Sequence, residues 1–215
     1  MIRRFSRSSR VRRALAVPGT ALPSGRRGFN RGLACAAVLL AGFSATSAFS
    51  GEVRRVDGLD FDQVIVVGNV DVEISQGDTP TLYLRGDEEV LNTDPFYIKG
   101  QRLVLGKNSR SQKVRGSSVR YKVEMPVLRE LEVLGSGAAY VKPFDLTYLD
   151  NDEMPSITID GSGDIKLYGI RGPSVSLRVK GSGDLAADSV DVEDIEAIEA
   201  GSGDLYMKVL QARAT

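Results

Sequence analysis

The tetrapeptide Gly-Ser-Gly-Asp stands at Gly161–Asp164, Gly181–Asp184 and Gly201–Asp204, and an imperfect copy, Gly-Ser-Gly-Ala, at Gly135–Ala138. The steps between first glycines are 26, 20 and 20 residues. The flanks repeat as well. Four residues before each first glycine stand Leu131, Ile157, Leu177 and Ala197; two before stand Val133, Ile159, Val179 and the exception Glu199. Four after stand Ala139, Ile165, Leu185 and Leu205, and six after stand Val141, Leu167, Ala187 and Met207. Apolar residues at every second position on both sides of a turn mean two short strands with one face inward. Twenty residues is too short for a propeller blade, and the Leu-x-x-Leu-x-Leu spacing of leucine-rich repeats is missing.

These units predict an all-β chain, folded as a single-stranded right-handed parallel β-helix (a β-solenoid) of about 20 residues per regular coil. Residues 127–215 hold the regular Gly-Ser-Gly-Asp coils. Residues 51–126 read as less regular coils of the same 51–215 domain, with a separate small β domain as the alternative. Val64, Val66, Val70, Val72 and Ile74 alternate there, as do Val119, Tyr121, Val123 and Met125 before Pro126. The polar stretch 106–118 is expected to be a long loop. In residues 191–200 a strand is expected, with a bulge that displaces Glu199.

Residues 1–50 read as an export signal and basic leader. They hold nine arginines and no acid, then an apolar run from Leu33 to Phe43, then small residues. That run is short for a bilayer span. Arg26 and Arg27, followed by Phe29, fit a twin-arginine signal in part, and the general secretory route is the other reading. The expected location is the periplasm or cell surface of a bacterium, with no integral membrane span after signal removal. Without the leader the chain carries 19 basic and 28 acidic residues, a formal charge of −9, which argues against nucleic-acid binding.

The chain has no histidine, and its one cysteine, Cys35, lies in the leader. Ser-His-Asp triads, Cys-His dyads and His-ligated metals are therefore excluded. No catalytic residue, metal or cofactor is assigned. The candidate binding groups are Asp164, Asp184 and Asp204, which stacking would bring into a column. Like charges one strand apart in water repel by only about 0.9 kcal/mol, so such a column does not require a cation. Glycines that ease a tight turn and aspartates that accept turn amides are the simplest reading. A second candidate is the basic region Lys107, Arg110, Lys113 and Arg115. It lies in Pro95–Val123, which has eight bases and no acid, whereas Asp145–Asp204 has fourteen acids and four bases. Such an asymmetry suits an anionic partner such as envelope polysaccharide at the basic end, or head-to-tail self-contact; another surface protein is the alternative partner. The last regular coil, with Leu205, Met207 and Leu210, is expected to leave apolar atoms and strand edges open and to self-associate there.

The three Gly-Ser-Gly-Asp-[Ile/Leu] copies, the opening "FDQVIVVGNVDVEISQGD" and "VEMPVLRELEVLGSG" together resemble the auto-transporter adhesin head domain of exported bacterial proteins, over Phe61 to Leu210. The resemblance implies a parallel β-helix, export, and an adhesion or surface-binding role. It carries no ligand or catalytic residues. The expected function is thus a non-catalytic scaffold of the cell envelope. The alternative is a carbohydrate-active β-helix enzyme, a polysaccharide lyase or hydrolase, which would need carboxylates and a basic residue converging in one groove.

Overall fold

The computed structural model describes residues 51–108, 119–150 and 152–211. The leader and Arg110, Lys113 and Arg115 lie outside them. In chain order the strands are β1 (Glu52–Val56), β2 (Gln63–Gly68), β3 (Asp71–Gln76), β4 (Thr81–Gly86), β5 (Phe96–Lys99), β6 (Arg102–Leu105), β7 (Val119–Met125) and β8 (Glu130–Gly135). They continue as β9 (Ala138–Val141), β10 (Phe144–Asp145), β11 (Ser156–Gly161), β12 (Asp164–Leu167), β13 (Ile170–Val179), β14 (Leu185–Glu199) and β15 (Leu205–Gln211). A single-turn helix, α1 (Glu88–Leu91), follows β4 and buries Leu91. No described helix is long and apolar enough to cross a membrane.

The single-stranded right-handed parallel β-helix expected from the repeat is not what forms. The fifteen described strands join one open, mixed sheet in the order β1-β4-β7-β3-β9-β12-β14-β13-β11-β8-β2-β6-β5, with β10 beside β13 and β15 beside β14. Three pairs, β1–β4, β4–β7 and β5–β6, are antiparallel. The reason is local. A recurring glycine turn specifies which residues align between successive units, but β1, β4, β5 and β7 lack one. Their alternating side chains fit either direction of pairing equally well.

Where the motif does recur, the expected partners meet. Ile157 pairs with Leu177 and Ile159 with Val179 at the 20-residue step, and Leu131 pairs with Ile157 at the 26-residue step. Beyond the turn, Ala139, Ile165, Leu185 and Leu205 align across β9, β12, β14 and β15. These columns face a shared core that also takes Val64 and Val66 from β2 and Val72 and Ile74 from β3. Each aliphatic side chain so buried contributes about 1.5–3 kcal/mol. The Gln76 side-chain amide extends the pairing, donating to the Asp145 carbonyl at 2.9 Å and accepting from the Asp145 amide at 3.0 Å.

The last unit departs from the pattern. Residues 191–199 are a strand, yet Glu199 stays in register opposite Val179. The irregularity lies instead between Ala187 and Asp191, where β14 meets β15. Met207, expected in the core, is only half-buried, because β15 pairs with β14 alone among the described residues. Ile198, Val209 and Leu210 are exposed at this end.

Candidate functional site

The repeated turn builds a backbone ladder. The amides of Ser162, Ser182 and Ser202 donate to the carbonyls of Gly135, Gly161 and Gly181 at 2.8, 2.8 and 2.9 Å. Glycine therefore sits on glycine. A Cβ on Gly181 or Gly183 would land on the carbonyl oxygen of Gly161 or Gly163, backbone that has no room to move. Close approach, more than turn geometry, is why these positions are glycine.

The ladder begins one unit earlier than the sequence motif. Ser136 N–H donates to the Gly68 carbonyl at 3.0 Å, so Gly68-Asn69-Val70-Asp71 occupies the place of a Gly-Ser-Gly-Asp. Only its first glycine and its aspartate match. The signal that could have found it is the apolar flank Val64, Val66, Val72 and Ile74, which has the same −4, −2, +4, +6 pattern.

Asp164, Asp184 and Asp204 are brought together as a column, and their carboxylates hold successive units in register. Asp164 Oδ1 accepts from the Asp184 amide and Asp184 Oδ1 from the Asp204 amide, both at 3.0 Å. Asp71 Oδ1 likewise accepts from the Ala138 amide at 3.2 Å. Ala138 cannot continue the series, and the Asp164 amide turns to the Gly137 carbonyl at 3.2 Å. Tyr206 donates to Asp204 Oδ2 at 2.8 Å, and this bond raises its phenol above the usual tyrosine range. Among the described residues no group of three or more Asp, Glu, His or Cys side chains is arranged to hold a metal ion.

These bonds set an expectation for Asp184. Asp184→Asn keeps an acceptor and should melt close to wild type, whereas Asp184→Ala should cost about 1 kcal/mol by thermal or urea unfolding. Millimolar calcium should not shift either transition. A calcium-dependent rise of many degrees in wild type that Asp184→Asn abolishes would assign the column to a cation.

Of the basic candidates, Lys107 alone lies within the described residues. Lys107 is half-buried after β6. Arg102 on β6 pairs with Glu130 at 3.1 Å, and Lys122 on β7 pairs with Glu124 at 2.8 Å. The second bond holds the Lys122 ammonium above, and the Glu124 carboxyl below, their ordinary ranges. Strands β6 and β7 lie toward opposite ends of the strand order.

A groove that sequence reasoning missed lies on the outer face of β1, β4, β7, β3 and β9. Its volume is about 550 Å³, and its lining includes Tyr83, Tyr140, Arg85, Arg120, Lys122, Asp71 and Glu73. Strand register places one outward row across it: Arg55, Tyr83, Lys122, Glu73 and Tyr140, each opposite the next. The row continues through Lys166 and Ala186 to Tyr206. Arg55 and Lys122 flank the Tyr83 ring, 5.6 and 5.5 Å from its centroid. Glu73 meets Lys142 at 3.4 Å, and Lys142 and Lys166 lie 5.0 and 5.1 Å from the Tyr168 centroid. Tyr140 keeps 40% of its surface exposed.

Comparison with known proteins gives one family, described as "putative auto-transporter adhesin, head GIN domain", matched over residues 60–214. No curated protein matches. Solved structures to which the chain is similar include one described as a putative lipid binding protein from Parabacteroides distasonis, with 18% identity, a TM-score of 0.47, and coverage of 74% of this chain and 96% of that one. Another is a putative adhesin from Bacteroides fragilis, with 14% identity, a TM-score of 0.44, and coverage of 75% and 98%. A putative cell adhesion protein from Clostridium sporogenes has 11% identity, a TM-score of 0.37, and coverage of 74% and 98%.

Proposed function

The chain belongs to the auto-transporter adhesin head GIN domain family, and on that footing we propose that it is an exported, non-catalytic binding module of the bacterial cell envelope. The observation that carries this reading is the use of the motif's carboxylates. Asp164 and Asp184 each accept the amide of the next unit, which makes the most regular chemistry of the chain a device for keeping units aligned. A sheet held this way presents outward side chains at fixed spacing, which suits contact with an extended surface.

The polysaccharide lyase or hydrolase reading has one observation in its favour: Asp71, Glu73 and Lys122 line the same groove. Against it, Asp71 is tied to the Ala138 amide and Glu73 to Lys142. The test is to incubate the purified protein with envelope fractions and soluble polysaccharides, and to measure both retention and chain length. Saturable retention on an envelope fraction without shortened products is expected. Catalytic release of short oligosaccharides would reverse the assignment.

A further inference from the structure

We propose that the groove over β1, β4, β7, β3 and β9 binds a neutral, extended glycan chain lying across the strands, with Tyr140 as its stacking platform; this deepens the binding-module reading and rests on it. Three observations converge. First, the groove's volume of about 550 Å³ lies within the range of roughly 300–1,000 Å³ common to small-ligand sites. Second, its lining is one of planar and hydrogen-bonding groups. Tyr140 offers an amphipathic ring with a partly exposed face, while Arg85, Arg120, Asp71 and Glu73 supply donors and acceptors around it. Third, the outward row repeats at the strand spacing of about 4.8 Å, close to the advance of one pyranose in an extended chain. Tyr83 and Tyr140 stand three strands apart in that row, with Lys122 and Glu73 between them.

The same features disfavour other occupants. A peptide laid across a sheet face finds no backbone partners, because those groups are already paired between strands. An acyl chain would find Val53 as the exposed aliphatic side chain, since Val72 and Leu84 are buried. The lining holds three bases, Arg85, Arg120 and Lys122, against two acids, Asp71 and Glu73, and Lys122 and Glu73 are each paired with an opposite charge, so a polyanion gains little.

The test measures binding of cellohexaose and chitohexaose to the full chain by calorimetry, beside hexagalacturonate and phosphatidylglycerol vesicles. The expected result is binding of at least one neutral hexasaccharide, little changed between roughly 50 and 500 mM salt. Tyr140→Ala should weaken it by roughly tenfold or more, and Tyr140→Phe should retain it, because stacking needs the ring and not the hydroxyl. Tyr148→Ala, an exposed aromatic outside the groove, should leave it unchanged, and unfolding curves should show all three variants folded. Binding unaffected by Tyr140→Ala would overturn the groove and leave the envelope-binding reading standing. Preference for hexagalacturonate or vesicles with steep salt dependence, or no binding of either neutral hexasaccharide, would overturn the neutral glycan. Shortened products that disappear in Tyr140→Ala would support the groove and overturn the non-catalytic reading alone.

Discussion

Leu177→Asp abolishes cooperative folding of the β-sheet. Leu177 has no exposed surface and stands opposite Ile157 on one side and Ala197 on the other. Removing its side chain alone costs about 2–5 kcal/mol. Placing a carboxylate in the same dry column adds several more, because neither Ile157 nor Ala197 offers a partner. Against a total stability of about 5–15 kcal/mol, the sum leaves little native protein. The measurement is a thermal or urea transition followed by circular dichroism. The control is Lys180→Asp, an exposed position on the same stretch of chain, which should fall within about 0.5 kcal/mol of wild type. A soluble Leu177→Asp protein that melts cooperatively near the wild-type temperature would remove the column from the core.

Gly183→Ala is the second large effect, and it works without any change of polarity. The added methyl would sit on the Gly163 carbonyl oxygen, with the Gly163 carbonyl carbon only 2.8 Å away. A side chain could rotate aside, but here the obstacle is the neighbouring strand's backbone. The two units must separate locally, lengthening the amide bonds from Asp184 to Asp164 and from Gly183 to the Gly161 carbonyl, now 3.0 and 3.3 Å. Overpacking of this kind costs about 1–3 kcal/mol, and more where backbone must shift. Gly169→Ala is the matched control. Its Cβ would meet Pro143 at an ordinary 3.6 Å, so the variant should be neutral or gain a few tenths of a kcal/mol from a stiffer unfolded chain. If both alanine variants melted alike, close stacking would not be what selects glycine at 183.

The difference between these two glycines was not legible in the sequence. Gly-Ser-Gly reads as a turn wherever it stands, and only stacking reveals that the second glycine faces a backbone oxygen. The pairing partners were legible, because period-two flanks and a constant 20-residue step leave one alignment for Ile157 with Leu177 and Ile165 with Leu185. The direction of β4 against β7 was not, since nothing in Leu82, Leu84, Tyr121 or Val123 distinguishes parallel from antiparallel contact. The Asp71 rung stayed hidden because Asn69 and Val70 replace the motif's centre. The groove could not be found at all from the motif. Its residues come from five strands spread between Val53 and Tyr140, and they become neighbours only through the register of four strand pairings.

Identical turns also create an ambiguity during folding. A strand arriving at the growing sheet sees the same glycine ladder at Gly161, Gly181 and Gly201, so slipping by one whole unit preserves every backbone bond of the turn. What separates the native alignment from its slipped neighbours must then lie in the departures from the repeat. The 26-residue step carries six surplus residues, and the segment after β10 uses Glu153 to reach both Arg129 and the Ser174 hydroxyl, contacts that exist in one alignment only. Ala138 interrupts the carboxylate series at a single level, and Glu199 puts a charge where every other unit has a core residue. The irregular positions thus act as counting marks: they lower the energy of one alignment relative to otherwise equivalent ones and let a repetitive chain reach a unique native state.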